Sequence, residues 1–270
     1  MCIEDNSDEL RVAFEKNVCE VVFVDNKNNS FKDIELDLLA RTVDGKAYKC
    51  PDQFIAKIKV NVSRCFEGEV RWITDKSAIK DRSEADAIKK EKKTPTIALV
   101  LESPHREEFF TNLESKTRKT IREKPFPAMG TTGDRIVESL PDVLLKYILQ
   151  KEDGGGAITR AVRDIENGDY RLVLVNVIQF QCSLGEPTDR YRDAFFQKCF
   201  NDPVFSNDFI ERLKEYRPSI IINCCTLSKK EFSFRDRVQE LINEHFPSVL
   251  RLQGYHPSCP LFYKGFTKID

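Results

Sequence analysis

The chain has 270 residues, 40 % hydrophobic and 32 % charged, with 43 Lys plus Arg against 44 Asp plus Glu and a formal net charge of −1. That length buries one large core, or one core with a small appended unit, and the near-neutral charge excludes a protein that coats nucleic acid through bulk positive charge, although a small footprint of local lysines remains open. No apolar run approaches the roughly 20 residues of a spanning helix, and MCIEDNSDEL lacks the basic-then-apolar pattern of a secretory signal, so a cytoplasmic protein without membrane contact is expected.

In the first 93 residues, VCEVVFVDN (18–26), FKDIELDLLARTVDG (31–45), FIAKIKVNV (54–62) and GEVRWIT (68–74) alternate or run apolar as strands do, with Asp44-Gly45 as a turn signal. The strongly polar stretch 75–93 reads as a solvated helix or linker. Residues 1–93 are therefore expected to form a β-rich N-terminal extension. From residue 94 the pattern changes. TPTIALVL (94–101), YRLVLVNVI (170–178), RPSIIINC (217–224) and PSVLRLQ (247–253) are short and apolar, as in parallel strands buried on both faces. Between them, 133–150 places Ile136, Val137, Leu140, Val143, Leu144, Tyr147 and Ile148 near one helical face, and 157–167, 193–200, 207–216 and 234–246 also have helical spacing. Residues 94–270 are expected to be a three-layer α/β/α sandwich around a four-stranded parallel sheet.

Ligands of open parallel sheets sit beyond the carboxyl ends of the strands. The residues there form one set: ESPH (102–105), Asn176 with QFQCSLG (179–185), CCT (224–226) and GYHPS (254–258). They offer a carboxylate, an amide, hydroxyls and a histidine. The nine cysteines contain no C-x-x-C pair and read as mostly reduced core thiols.

These strand ends resemble those of the uracil-DNA glycosylase superfamily. LESPH (101–105) is similar to its first motif, G-Q-D-P-Y-H or G-E-A-P-G in different branches, with Glu102 and Pro104 matching the second form. KPFPAMGTTGDRI (124–136) resembles the P-F-x-G-x-A-G segment, LVNVIQFQC (174–182) the strand that ends in the base-reading asparagine, and HPSCPLFYKGF (256–266) the H-P-S-P-L-S-V-Y-R-G-F motif. The four matches are in order; residues 1–93 have no counterpart.

The resemblance implies that an N-glycosidic bond is cut through an oxocarbenium-like sugar while the departing base gains negative charge. His256 would donate a hydrogen bond to that base, an oxyanion-hole role. Asn176 would read the base edge, because an amide offers a donor beside an acceptor; the alternative is a strand-end asparagine that satisfies backbone groups. Phe126 would stack on the flipped base. Glu102 would orient water or support the sugar charge, since Ser103 stands where one branch has an aspartate. His105 stands where that branch has the tyrosine that crowds C5 of the base, so Ser103 and His105 join Phe126 and Asn176 in the base pocket. Ser258, Gly130, Thr131 and Lys264 would meet the DNA backbone, and Leu261, with Phe262 as second choice, would fill the gap left by the base. Lysines and arginines of 115–126 and the run 89–93 add local positive charge, or form an ordinary solvated face. Cys182 and Cys199 resemble the second cysteine pair of the iron–sulfur branch, but no C-x-x-C precedes the first motif, so no metal and no cofactor are expected.

The expectation is a monomeric, monofunctional DNA glycosylase acting on DNA with a modified or aberrant pyrimidine. Absence of the tyrosine favours a bulky C5-modified cytosine, such as glucosylated hydroxymethylcytosine in phage DNA. Uracil excision, and a binding module of the same fold without hydrolysis, are the alternatives.

Overall fold

The computed structural model describes residues 9–15, 18–24, 42–43, 46–47, 49–63, 67–105, 108, 110–111, 120–121, 125–149, 165–179, 182, 196–197, 199–227 and 233–269. In chain order the elements are β1 (Glu9–Glu15), β2 (Val18–Val24), β3 (Thr42–Val43), β4 (Lys46–Ala47), β5 (Gln53–Val62), β6 (Gly68–Trp72), α1 (Lys76–Asp81), α2 (Ala85–Lys90), β7 (Thr96–Leu101), β8 (Phe110–Thr111) and β9 (Thr120–Ile121). They continue with α3 (Thr131–Leu149), β10 (Gly168–Asn176), α4 (Pro203–Tyr216), β11 (Pro218–Asn223), α5 (Phe234–His245), β12 (Leu250–Gln253), a 3-10 turn (Phe262–Lys264) and β13 (Thr267–Lys268). Of the expected strand at 31–45 only 42–43 is described. Of the expected helix 193–200, residues 196–197 and 199–200 are described and helical, with Phe196, Cys199 and Phe200 buried; most of the expected helix 157–167, most of 179–185 and most of 115–126 lie outside the described residues.

The main sheet has seven strands in the order β13-β12-β11-β7-β10-β5-β6, which corrects the expected four-stranded parallel sheet. Its centre, β12-β11-β7-β10, is parallel, and β13, β5 and β6 add antiparallel edges. The physical reason is the open edge of β10. An unpaired edge exposes a row of backbone donors and acceptors, and β5 covers it from Gly168↔Val60 to Leu174↔Gln53. The sheet thus runs across residue 93: strands of the N-terminal stretch complete the layer that carries the later strand ends.

Side chains of successive strand residues point to opposite faces, and two cores result. On one face Ile97, Leu99, Leu172, Leu174, Ile220, Ile222 and Leu252 cluster with Ile136, Leu140 and Leu144 of α3. On the other, Ala98, Val100, Val173, Val175 and Ile221 cluster with Phe209 and Leu213 of α4 and Phe234, Val238 and Ile242 of α5. The polar stretch 75–93 is less solvated than expected. Helices α1 and α2 bury Ala78, Ile79, Ala85 and Ile88, and the Asp75 carboxylate caps α1 by accepting from the Ser77 N–H at 2.8 Å.

Helix α3 contains Pro141. Proline has no N–H, so the carbonyl four residues earlier loses its helical donor. That carbonyl belongs to Val137, and the Trp72 indole N–H donates to it at 2.8 Å. The end of β6 thereby closes a defect in α3 and fastens that helix to the sheet edge.

Candidate functional site

The carboxyl ends of β10, β7, β11 and β12 lie side by side, and backbone hydrogen bonds continue past them. The Val177 N–H reaches Leu101 O at 2.8 Å, Ile178 N–H reaches Glu102 O at 3.1 Å, Cys224 N–H reaches Val100 O at 2.9 Å, and Gly254 N–H reaches Asn223 O at 3.0 Å. Glu102, Asn176, the CCT segment and the His256 loop therefore leave the sheet at one edge, as the sequence suggested.

Glu102 is buried beyond β7. After it Ser103 is half-buried, Pro104 buried and His105 exposed. Glu108, which sequence reasoning missed, joins this loop to the next: its carboxylate accepts the His105 N–H and, at 2.7 Å, the Ala128 N–H. Arg82 holds the same loop from the other side. Its guanidinium donates to Ile79 O and, at 2.9 Å, to Pro127 O. Burial pulls the Arg82 pKa down to about 10, against the attraction of Glu108. Phe126, half-buried, sits between buried Pro125 and Pro127. Ala128 has a left-handed φ of 54°, and its carbonyl lies where a Cβ on Gly133 would approach to 2.0 Å. Glycine at 133 is what allows α3 to start against this loop. Gly130, with φ 77°, and Thr131 are exposed at that start.

Two asparagines end β10 and β11, the strands on either side of β7, and differ in one respect. Asn223, fully buried, uses its amide completely. It donates to Arg235 O at 2.9 Å and to Gln239 Oε1 at 3.1 Å, and accepts from the Cys225 N–H at 3.1 Å. Asn176 is 1 % exposed, and its amide nitrogen has no hydrogen-bond partner. A buried donor left unmet costs about 1–3 kcal/mol, so the first asparagine is structural and the second presents an unused donor. The backbone of Asn176 is tightly held. Its N–H donates to Asp52 Oδ1 at 3.2 Å and its carbonyl accepts from Arg212 Nη2 at 3.0 Å.

The Asp52 side chain is fully buried and paired with Arg212. Burial pushes the Asp52 carboxyl up, opposed by Arg212, while the Asp52 and Asp208 carboxylates keep the Arg212 guanidinium charged. The thiols of Cys50, Cys224 and Cys225 are also pushed up by burial; for Cys225 the nearby Glu102 carboxylate adds to this. Arg235 places a positive charge at the same edge, with Nη1 donating to Gly254 O at 3.4 Å.

The last loop is fixed from both ends. A Cβ on Gly254 would meet Phe266 ring carbons at 2.6 and 2.8 Å, so only glycine passes beneath that ring. Arg135, at the start of α3, donates to Ser258 O at 2.5 Å. The Ser258 N–H points at His256 Nδ1 at 3.2 Å, and Ser258 Oγ lies 2.8 Å from the same nitrogen. A backbone N–H can only donate, so in the neutral ring Nδ1 is the acceptor and Nε2 carries the proton. Beyond it, Leu261 is half-buried and Lys264 exposed. Phe262 is 2 % exposed and packs edge-on against Phe266, so its ring belongs to the core and not to the surface. The 3-10 turn sends Tyr263 outward instead, 62 % exposed, with its carbonyl accepting from Lys146 Nζ at 3.4 Å.

A groove of about 490 Å³ between β6 and α3, lined in part by Trp72, Ile73, Glu138 and Asp142, contains none of these residues. Cys182 and Cys199 are buried in the core, and among the described residues no three His, Cys, Asp or Glu side chains group to hold a metal ion. No described helix is long and apolar enough to cross a membrane.

No protein family, no curated protein and no solved structure matches this chain.

Proposed function

We propose that the chain is a monofunctional DNA glycosylase that hydrolyses the N-glycosidic bond of a flipped-out modified pyrimidine, with a C5-substituted cytosine of phage DNA, such as glucosylated hydroxymethylcytosine, as its substrate. The observation that carries the reading is the buried Asn176 amide nitrogen without a partner. Cytosine N3 supplies the acceptor it lacks, and the neighbouring amide oxygen then accepts from the exocyclic N4. His256 supports the same reading. With Nδ1 accepting from the Ser258 N–H, the neutral ring carries its proton on Nε2, the nitrogen that donates to the base carbonyl oxygen as it gains charge, and one such donor is worth about 3 kcal/mol. Glu102, buried at the adjacent strand end, orients water toward the sugar carbon and balances its positive charge. Phe126 supplies a partly open aromatic face for stacking. His105, where the G-Q-D-P-Y-H branch has its C5-crowding tyrosine, is exposed, which suits a base with a substituent there.

Uracil excision is the second reading, because uracil O4 also accepts from an asparagine amide nitrogen. The test incubates the protein with duplexes containing uracil, hydroxymethylcytosine or glucosylated hydroxymethylcytosine and identifies released free base by mass spectrometry. Release from none, with DNA still bound, leaves a binding module. In the same assay Leu261→Ala, and Tyr263→Ala at the exposed side chain of the same loop, are expected to weaken release from duplex more than from single strands.

A further inference from the structure

Strand β10 outruns its neighbour. The β5 ladder ends at Leu174↔Gln53, whereas β10 continues to Asn176. At that point Asp52, the residue before β5, turns its carboxylate to the strand. Oδ1 accepts from the Asn176 N–H at 3.2 Å and from Gln179 Nε2 at 3.3 Å; Oδ2 accepts from Arg212 and, at 3.2 Å, from the Tyr216 hydroxyl. Arg212 completes the frame by donating to the carbonyls of Asn176 at 3.0 Å and Val177 at 3.2 Å, and its Nε is held by Asp208 at 2.7 Å. Both backbone polar groups of Asn176 are thus held by one buried ion pair whose members lie 160 residues apart in the chain. Burying such a pair is costly and its geometry must be good to offset desolvation. A hydrophobic contact would have covered the edge as well, but it would not have fixed the direction of a peptide plane.

We infer that Asp52, through its pair with Arg212, is a positioning residue that aims the Asn176 amide into the site. It acts through Asn176 and does not touch the base. The inference rests on the reading of Asn176 as the group that contacts the base. Displacements of about 1 Å in a reacting constellation can cost 100-fold in rate, so a carboxylate that is one methylene longer, yet still paired with Arg212, should move activity more than fold.

The test therefore uses Asp52→Glu, which keeps the ion pair, alongside Asp52→Asn, which removes its charge. Two readouts are taken. In the first, selectively 15N-labelled asparagine reports the side-chain amide signals of Asn176, assigned by their loss in Asn176→Ala, with Asn223 as internal control. Asp52→Glu is expected to shift the Asn176 signals and leave those of Asn223 in place; unmoved Asn176 signals overturn the inference whether or not the protein has activity. The second readout is kcat/KM for base release in a double-mutant cycle. Asp52→Glu is expected to lower it roughly 10- to 100-fold with Asn176 present and to have no further effect on Asn176→Ala. Effects that multiply mean that Asp52 acts on the fold generally, and overturn the inference. A wild-type protein that releases no base refutes the glycosylase reading, while the amide signals still decide the role of Asp52.

Discussion

Replacing Asn176 and Asn223 separately by alanine distinguishes a ligand-facing amide from a structural one without any substrate. Asn223→Ala deletes three hydrogen bonds and strands the Arg235 carbonyl, the Gln239 amide oxygen and the Cys225 N–H. At about 1 kcal/mol per bond the loss is about 3 kcal/mol. For a chain of this size that lowers Tm by roughly 6–12 °C. Asn176→Ala removes a buried donor that has no partner, recovering about 1–3 kcal/mol against lost packing of similar size. Its net effect is expected within about 1 kcal/mol of zero, the usual pattern where a binding group is kept at the expense of stability. Thermal unfolding followed by circular dichroism measures both. Equal drops in Tm for the two variants would refute the reasoning, since Asn176 would then be as fully engaged in the fold as Asn223.

Gly254→Ala is expected to cost about 1–3 kcal/mol, because the new methyl overlaps the Phe266 ring; Phe266→Leu should recover part of that loss in a double variant measured by urea denaturation. Trp72→Phe leaves Val137 O without the donor that Pro141 cannot supply, a loss of about 1 kcal/mol. Adding Pro141→Ala restores a helical N–H, so the second change should stabilise the Trp72→Phe protein more than the wild type. Native alkylation at pH 8, mapped by mass spectrometry, should label the partly exposed Cys259 at least roughly tenfold faster than Cys50, Cys224 and Cys225, whose thiols burial holds above the ordinary range. The same shifts fix a sign with pH. A raised thiol pKa gives stability that is complete below the unfolded value of about 8.5 and is lost as pH rises above it, by about 1.4 kcal/mol per pH unit for each thiol. Cys224→Ala should flatten the fall between pH 9 and 10 measured by chemical denaturation; an unchanged slope contradicts the assignment.

The parallel centre of the sheet was legible because its strands are apolar on both faces, and α3 because its apolar residues recur at helical spacing. The edge strands misled for a physical reason: FIAKIKVNV reads equally well as a strand of a separate β unit, and nothing local says that β10 needs a partner. The placement of Glu102, Asn176 and the His256 loop at neighbouring strand ends was legible, because each directly follows or ends an apolar strand. Asp52, Arg82 and Glu108 were not, since each acts through a peptide group distant in sequence, and an acid or base in a polar segment has no periodicity to reveal burial. Phe262 and Tyr263 are neighbours in an unphased loop; only the 3-10 turn decides which enters the core and which faces outward.

The most direct measurement is mass-spectrometric detection of free base from defined duplexes, with wild-type protein beside Asn176→Ala and His256→Ala. Free glucosylated hydroxymethylcytosine from the wild type, with release lowered at least roughly 100-fold in both variants, is the predicted result. Release of no base from any duplex, or undiminished release by both folded variants, contradicts it.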